Sequence, residues 1–209
     1  MKGRLIVIEG TDASGKGTQA RLLNEKLGNS MIISFPQYDS FFGKLVAGYL
    51  RGEYGTLDAV RPQMAALLYA LDRFGAKEML IEALDAGKTV ILDRYIESNL
   101  AYQGAKDRSA VAWIRELEYE RFGMPRPDVV IYLDVPLHVA GRLIEGRPKK
   151  GYLEGEQKDI HEMDRGYLAK VDDMYRELSK EPGWVRIECT RNGKMLSLEQ
   201  VHELILRSI

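Results

Sequence analysis

The sequence has little of several features that define other classes of protein. Its one cysteine, Cys189, excludes an intramolecular disulfide and is predicted to be a buried, unreactive thiol at the end of a strand. Basic and acidic residues nearly cancel, at 30 and 31, so no overall charge favours nucleic acid or an anionic membrane as a partner. The sequence shows neither an N-terminal signal segment nor an apolar run of about 18 residues. We therefore expect a soluble, cytoplasmic protein.

The order of apolar runs predicts the fold class. The 209 residues, 45% of them apolar, are enough for one domain with a substantial core. Strands are predicted at residues 5–9, 31–35, 89–92, 129–133 and 184–188, and helix-length segments separate them. This alternation predicts an α/β fold of three layers, with a five-stranded parallel sheet between two helical layers. Ligands of such a sheet bind beyond the carboxyl ends of its strands.

A glycine-rich segment lies between the first predicted strand and an amphipathic helix. Backbone N–H groups of such a turn, the positive end of the helix dipole and a lysine together hold phosphate groups. The arrangement matches the Walker A loop of P-loop nucleotide-binding proteins. The alternative is a glycine-rich turn with an incidental lysine. The residues predicted to bind the nucleotide are Gly10, Asp12, Ala13, Ser14, Gly15, Lys16, Gly17 and Thr18.

One position departs from the Walker A pattern. The pattern has Ser or Thr directly after the lysine, where the hydroxyl ligates Mg²⁺, and this chain has Gly17. The order Gly-Lys-Gly-Thr resembles that of adenylate kinases, in which the metal is held mostly through water and nucleotide oxygens. Phosphate binding is therefore still expected, whereas direct metal ligation by residue 17 is not.

A helix is predicted over residues 63–73, with an apolar stripe formed by Met64, Leu67, Leu68 and Leu71. Tyr69 and Arg73 lie four residues apart on the neighbouring face. An aromatic ring and a guanidinium group in this arrangement can stack on a nucleobase and donate to its carbonyl oxygen. The alternative is a tyrosine at the rim of the core beside a solvated arginine.

Charged residues follow the third predicted strand at the ligand-binding edge. Asp93 can orient Mg²⁺ through water, and Arg94 can bridge phosphate groups, although a structural ion pair is the alternative. A glycine-flanked loop at 146–155 carries Arg147, Lys149 and Lys150. These cations either contact phosphate groups or are simply solvated at the surface. Asp159 and Glu162 could orient those cations or form an acidic first helical turn. No chemistry is assigned to the three histidines, which are predicted to lie at the surface.

Taken together, these motifs resemble those of thymidylate kinases over essentially the whole chain. The resemblance implies a single P-loop kinase domain spanning residues 1–209, with a lid at about 146–156. It also implies transfer of the γ-phosphoryl group of ATP to dTMP, with Mg²⁺ as cofactor, by a homodimer. The residues that carry it are Ile8-Glu9-Gly10 with Asp12, Phe35-Pro36, Tyr69, Arg73, Asp93-Arg94-Tyr95, Ser98, Gln103-Gly104, Arg126-Pro127-Asp128, Tyr132-Leu133-Asp134 and Thr190-Arg191.

The family implies roles for the donor side of the site. Lys16 and the loop amides would hold the ATP phosphates, and Arg191 would lie against the adenine. Arg94 would bridge the phosphates of the two nucleotides, while Asp93 would help to orient Mg²⁺. Asp12 would receive the acceptor's 3′-hydroxyl or act near the metal.

The family also implies an acceptor pocket. Tyr69 would stack on thymine, where relatives often carry Phe, and Arg73 would address O4. Asn99 would border the base, and Tyr102 would border the C2′ side of the sugar. Tyr38 would approach the acceptor phosphate. The implied pocket residues are Phe35 and Pro36 with a cis peptide bond, Tyr38, Tyr69, Arg73, Arg94, Asn99 and Tyr102.

Ala13 departs from one branch of the family, which has arginine there. Catalysis would then need the lid cations, with Arg147 the first choice, alongside Lys16, Arg94 and Asp12. The rival functions are a kinase for another nucleoside monophosphate or a deoxynucleoside, or a nucleotide-binding switch. A guanine-reading switch would carry an Asn-Lys-x-Asp element after a late strand, and the sequence has none.

Overall fold

A parallel sheet of five strands forms the centre of the fold, as predicted. The computed structural model describes residues 3–145, 151–153 and 159–209. The order across the sheet is β2, β3, β1, β4, β5, so β1 is central. The strands are β1 Leu5–Glu9, β2 Ser30–Ser34, β3 Thr89–Asp93, β4 Val129–Asp134 and β5 Trp184–Glu188.

Helices cover both faces of this sheet, as expected for parallel strands joined by crossovers. The α-helices are α1 Lys16–Leu27, α2 Phe41–Leu50, α3 Pro62–Gly75, α4 Lys77–Asp85, α5 Ile96–Lys106, α6 Ser109–Arg115, α7 Leu137–Glu145, α8 Arg165–Leu178 and α9 Leu198–Leu206. A π-helical segment, Glu116–Arg121, extends α6, and Gly151–Leu153 forms a turn of 3₁₀ helix. A hairpin that the sequence analysis did not predict joins β6 Thr190–Arg191 to β7 Lys194–Met195.

Burial on both sides of β1 explains its uninterrupted apolar sequence. Leu5 and Val7 belong to the core cluster that also contains residues of α2, α3, α5 and α8. Ile6 and Ile8 belong to the cluster on the other face, with residues of α1 and α9. All four side chains are at most 1% exposed. The phosphate loop therefore begins directly after the most completely buried strand of the sheet.

The predicted apolar stripe of α3 was wrong in part. Met64 is 59% exposed, and the buried face of the helix consists of Ala65, Ala66 and Ala70, followed by Asp72 and Arg73. Small side chains let α3 pack closely against α2 and α5. The periodicity of large apolar residues could not reveal a buried face formed by alanines and two charged residues.

None of the helices in the described ranges combines the length and apolarity needed to cross a membrane. The predicted lid falls largely outside the described residues, which include only Gly151–Leu153 of it. Arg147, Lys149 and Lys150 lie outside them as well. Cys189 is buried as predicted, and burial raises the pKa of its thiol to about 12.

Candidate active site

The phosphate loop turns sharply between β1 and α1. Gly10, Ala13 and Gly15 have φ angles of 150°, 60° and 88°, in the region that favours glycine. A Cβ atom at Gly10 would lie 2.8 Å from the carbonyl oxygen of Leu133, so the loop needs glycine there. The turn ends at the N-terminus of α1, where unpaired N–H groups and the helix dipole favour an anion.

Lys16 folds back over this loop. Its Nζ donates to the carbonyl oxygen of Thr11 at 2.8 Å and approaches Ser14 Oγ at 3.4 Å. Burial, and next the positive charge of Arg94, lowers the pKa of Lys16 to about 8. A bound phosphate would favour the charged form of the amine and raise this pKa again. The loop thus holds a partly desolvated ammonium group ready for an anion.

Asp93, the last residue of β3, lies against Gly17. A Cβ atom at Gly17 would be 3.0 Å from Asp93 Oδ2, so glycine leaves room for this carboxylate beside the phosphate loop. The negative charges of Asp93 and Asp12 both act to raise the pKa of Lys16, against the effect of burial. Carboxylate oxygens are the ligands that Mg²⁺ prefers, so both residues have the donor chemistry to hold a magnesium ion.

Arg94 connects the phosphate loop to the neighbouring pocket. Its Nη2 donates to Asp12 Oδ1 at 2.7 Å, and its Nη1 donates to the carbonyl oxygen of Gly10 and to Ser98 Oγ at 3.3 and 3.2 Å. The guanidinium also lies 5.6 Å from the ring centroid of Tyr102. The Arg94 and Asp12 side chains are 17% and 18% exposed, so the ion pair remains accessible to a ligand.

A buried carboxylate that the sequence analysis did not assign holds Arg94 in position. Glu9 accepts hydrogen bonds from the backbone N–H groups of Tyr95 and Ser98, at 2.8 and 3.0 Å. Its second oxygen accepts from the hydroxyl groups of Ser98 and Tyr175. Glu9 therefore caps the first turn of α5 from the adjacent strand. A charged residue at the end of an otherwise apolar strand was the signal that could have identified it.

A pocket opens beside Arg94, between the sheet edge and helices α2, α3 and α5. The Phe35–Pro36 peptide bond is cis, as the resemblance implied. The predicted acceptor residues that line the pocket are Phe35, Pro36, Tyr38, Tyr69, Arg73, Arg94, Asn99 and Tyr102, together with Asp12. The structure therefore brings the whole predicted set together. Ser98 and Gln103, which also carry the resemblance, line the pocket as well, and the structure adds Leu50, Tyr152, Asp159 and His161.

The inner end of the pocket contains a buried ion pair. Arg73 donates from Nε and Nη2 to the two oxygens of Glu118, each at 2.6 Å. The side chains are 3% and 0% exposed. Glu118 lies in the π-helical segment and also accepts from Asn99 Nδ2 at 3.0 Å. Sequence reasoning missed Glu118 because it lies in a charged helical segment with the composition of a solvated surface.

Two amide side chains present unpaired polar atoms at this end of the pocket. Asn99 Nδ2 donates to Glu118 and to the carbonyl oxygen of Ala66, and these two acceptors fix the orientation of the amide. Asn99 Oδ1 is buried and has no hydrogen-bond partner among the described residues. Gln103 Oε1 and Nε2 are likewise buried and have no hydrogen-bond partner among the described residues. Buried polar groups are normally paired, so these atoms indicate a polar ligand.

Aromatic rings cover the opposite side of the pocket. Tyr38 and Tyr152 stack with their centroids 4.1 Å apart. The Tyr152 hydroxyl donates to Asp159 Oδ2 at 2.8 Å, and Arg51 donates to the carbonyl oxygen of Tyr152. The described turn of the predicted lid region thus already contacts the pocket wall.

The prediction that the histidines lie at the surface was wrong for His161. It is 4% exposed and lines the pocket, with its ring centroid 5.1 Å from that of Tyr102. Burial lowers its pKa to about 4, so the imidazole is neutral at physiological pH. The sequence offered no pairing pattern to indicate this, because its partners come from distant helices.

Carboxylate groups meet between the pocket and the phosphate loop. Asp12, Asp159 and Glu162 each have an oxygen within 4.8 Å of the others. Asp159 Oδ1 also accepts from the backbone N–H groups of His161 and Glu162. Like charges this close need cations nearby, and Arg94 supplies one to Asp12. Arg191, the predicted adenine contact, is exposed in β6 and does not line this pocket.

Comparisons with known proteins agree with this arrangement. A family model described as thymidylate kinase matches residues 8–205. A probable thymidylate kinase of Thermococcus gammatolerans is 36% identical, over 98% of this chain and 94% of its own length. The thymidylate kinase of Mycobacterium tuberculosis is 35% identical, over 86% and 87%. The solved structure of Candida albicans thymidylate kinase superposes with a TM-score of 0.80 at 28% identity, covering 100% of this chain and 91% of that one.

Proposed function

The chain belongs to the thymidylate kinase family and transfers the γ-phosphoryl group of ATP to dTMP, and from this premise we propose how its residues divide the work. The phosphate loop binds ATP, and the pocket beside Arg94 binds dTMP, within one kinase domain of residues 1–209. This assignment of two sites rests on one observation: Arg94 and Asp12 form an accessible ion pair between them.

On the ATP side, the positive N-terminus of α1 and Lys16 hold the phosphates, supported by the loop geometry and the burial of Lys16. Mg²⁺ would be held by Asp93 and Asp12, directly or through water, and supplies charge neutralisation of the phosphate oxygens when bound. Gly17 supports this arrangement because it leaves room for the Asp93 carboxylate. Arg191 would contact the adenine.

On the dTMP side, the proposal rests on the unpaired Asn99 Oδ1. Thymine offers a donor at N3 and an acceptor at O4, so Asn99 Oδ1 would accept from N3–H. Arg73 would donate to O4 with a terminal N–H that Glu118 does not occupy. Tyr69 supplies a ring for stacking, and Tyr38 lies toward the acceptor phosphate. Tyr102 borders C2′ of the sugar.

Catalysis by these residues would consist of positioning and charge stabilisation, since phosphoryl transfer needs no protein nucleophile. Arg94 reaches Asp12, Gly10 and Ser98 from one guanidinium group, so it is placed to contact phosphates of both substrates. The Lys16 ammonium group would stabilise the negative charge on the transferred phosphoryl group. Together they neutralise its oxygens while the two nucleotides are held in line.

We expect dCMP to be a poor acceptor. Cytosine has an unprotonated N3 opposite Asn99 Oδ1 and an amino group opposite Arg73, so both contacts would be mispaired. Mispairing buried polar groups costs about 1–3 kcal/mol, so kcat/KM should fall by roughly 10-fold to 100-fold relative to dTMP. A coupled ADP-release assay across dTMP, dUMP and dCMP measures this and also tests the function. Equal values for dTMP and dCMP would contradict the base assignment, and no ADP release with dTMP would contradict the function itself.

We also expect Arg147→Ala to lower kcat by roughly 10²-fold, comparable to loss of one oxyanion-type donor. The phosphate loop has Ala13 where one branch of the family has arginine, so the lid would supply this positive charge, and only in the closed state. The Kd for dTMP should stay nearly unchanged, because such a contact forms chiefly in the transition state. Steady-state kinetics beside equilibrium dTMP binding separates the two, with Lys149→Ala and Lys150→Ala as matched controls. Near-normal kcat in all three variants would leave the lid as a cover only.

The homodimer and the cytoplasmic location implied by the resemblance remain proposals. Large apolar side chains are exposed on α2 and α3, where Phe41 is 73%, Met64 59% and Phe74 44% exposed. Apolar side chains of this size at a helical surface support burial against a second copy of the chain.

A further inference from the structure

His161 sits at the centre of an aromatic cluster in the pocket wall. Its ring centroid lies 5.1 Å from that of Tyr102, 5.3 Å from Tyr167 and 5.5 Å from Tyr49. These rings come from α5, α8 and α2, so three separate elements fix the plane of the imidazole. A ring held this firmly can present one nitrogen to the pocket in a defined direction.

A hydrogen-bonded chain determines which nitrogen carries the proton. Lys106 Nζ donates to the Tyr49 hydroxyl at 3.0 Å and to the carbonyl oxygen of Leu57 at 2.8 Å. An ammonium group can only donate, so the Tyr49 oxygen accepts from Lys106. Among the described residues, the one acceptor within reach of the Tyr49 hydroxyl hydrogen is His161 Nε2, 3.1 Å away, so this hydrogen goes to Nε2. Nε2 is therefore the acceptor of the neutral ring, and Nδ1 carries the hydrogen.

The Nδ1–H group is the donor that remains for the pocket. Nδ1 makes no hydrogen bond within the residues that the structure describes, and it is not among their fully buried unpaired atoms. Because His161 lines the pocket and is otherwise enclosed, Nδ1 has its access on the pocket side. The low pKa of about 4 keeps the group a neutral donor instead of a cation.

The position of His161 selects the part of the ligand that it meets. The base end of the pocket is defined by Arg73 and Asn99, and the phosphate end by Arg94. His161 packs on Tyr102, whose ring centroid lies 5.6 Å from the Arg94 guanidinium. Its backbone N–H donates to Asp159, whose carboxylate lies within 4.8 Å of that of Asp12. The sugar of a nucleotide connects its base to its phosphate, so in this pocket the sugar would lie beside Tyr102 and His161.

We propose that His161 is a specificity-determining residue that donates from Nδ1–H to the 3′-hydroxyl oxygen of the acceptor sugar, with Tyr49 and Lys106 as positioning residues for its tautomer. The inference rests on the proposed binding of dTMP in this pocket. The 3′-hydroxyl would then be recognised twice, as a donor to the Asp12 carboxylate and as an acceptor from His161. A sugar that lacks this hydroxyl leaves both groups unpaired.

The test compares dTMP with 3′-deoxythymidine monophosphate in four proteins. In the wild type, the analogue should have a lower kcat/KM than dTMP. His161→Phe keeps an aromatic ring but removes the donor. The ratio of kcat/KM for dTMP to kcat/KM for the analogue should therefore shrink by about 10-fold, because kcat/KM falls for dTMP and does not change for the analogue. His161→Asn places an amide near the position of Nδ1 and should restore part of the ratio, whereas His161→Gln, with its amide near Nε2, should not.

A second measurement keeps the inference testable if the substitutions at His161 do not fold. The ¹⁵N chemical shifts of the His161 ring at pH 7 should show hydrogen on Nδ1 in the wild type, and dTMP should shift that resonance more than the 3′-deoxy analogue. Tyr49→Phe should add the Nε2–H tautomer while the fold remains intact. The inference is overturned by an unchanged substrate ratio in His161→Phe, or by Nε2–H as the main wild-type tautomer. Wild-type turnover of dTMP alongside either result would leave the proposed function standing.

Discussion

Replacing Arg94 by methionine is expected to lower kcat by about 10³-fold, since an arginine that neutralises a transferring phosphoryl group contributes 10³-fold to 10⁵-fold in related chemistry. Arg94 lies between the phosphate loop and the acceptor pocket, held by Asp12, Gly10 and Ser98. Its guanidinium group can therefore reach oxygens of both nucleotides at once. Methionine has a similar length and no charge, so it removes this contact with little change in volume.

The control for this variant is Arg94→Lys. Lysine keeps the positive charge but cannot contact two phosphoryl oxygens with a planar fork, so we expect it to recover only part of kcat. Thermal melting of both variants separates a catalytic loss from unfolding, because Arg94 is also the partner of Asp12. If Arg94→Met turns over dTMP within about 10-fold of the wild type, charge stabilisation must come from Lys16, the lid or the metal ion.

Glu118→Gln should lower both stability and acceptor recognition. Glu118 is fully buried and forms two 2.6 Å hydrogen bonds with Arg73, so the substitution leaves a buried guanidinium without its counter-charge. Breaking a buried ion pair from one side costs about 3–5 kcal/mol of unfolding free energy. For a chain of this size, about 3 kcal/mol corresponds to a melting temperature roughly 10 °C lower. Calorimetry and urea unfolding measure the loss.

A double variant separates the two effects of this ion pair. Replacing both partners, as Arg73→Met with Glu118→Leu, removes the uncompensated charge, so stability should return to near that of the wild type. Recognition of thymine should stay impaired, because no donor remains for O4. A stable double variant that prefers dTMP over dCMP by the full wild-type ratio would show that Asn99 accounts for the discrimination and that Arg73 has only a structural role.

Local sequence was enough to predict the sheet and the phosphate loop. The predicted strands at residues 5–9 and 184–188 coincide with β1 and β5, and the other three differ from the observed strands by at most one residue at each end. Strand, glycine-rich turn and helix are contiguous, and their periodicities are properties of short windows of residues. Tyr69, Arg73 and Arg94 were also singled out from local sequence, whereas the other acceptor residues of the pocket were predicted from the family resemblance.

The groups that position the site could not be found in this way. Glu118 meets Arg73 across 45 residues of sequence, Glu9 meets Tyr95 across 86, and Tyr49 meets His161 across 112. Each of these side chains is polar and belongs to a segment whose local composition is compatible with another environment. A hydrogen-bond partner contributed by a distant element leaves no periodic pattern in either segment.

The sequence by itself determined the α/β class, the order of the elements, the place of the phosphate loop at the end of β1, and the residues that carry the family resemblance. Only the tertiary structure decided that α3 buries alanines and Arg73 instead of its larger apolar residues, that Glu118 and Glu9 hold Arg73 and Arg94 in place, and that His161 faces the pocket. The physical reason is that periodicity records how each segment meets the apolar core. Burial of a polar group depends instead on whether folding brings it a partner.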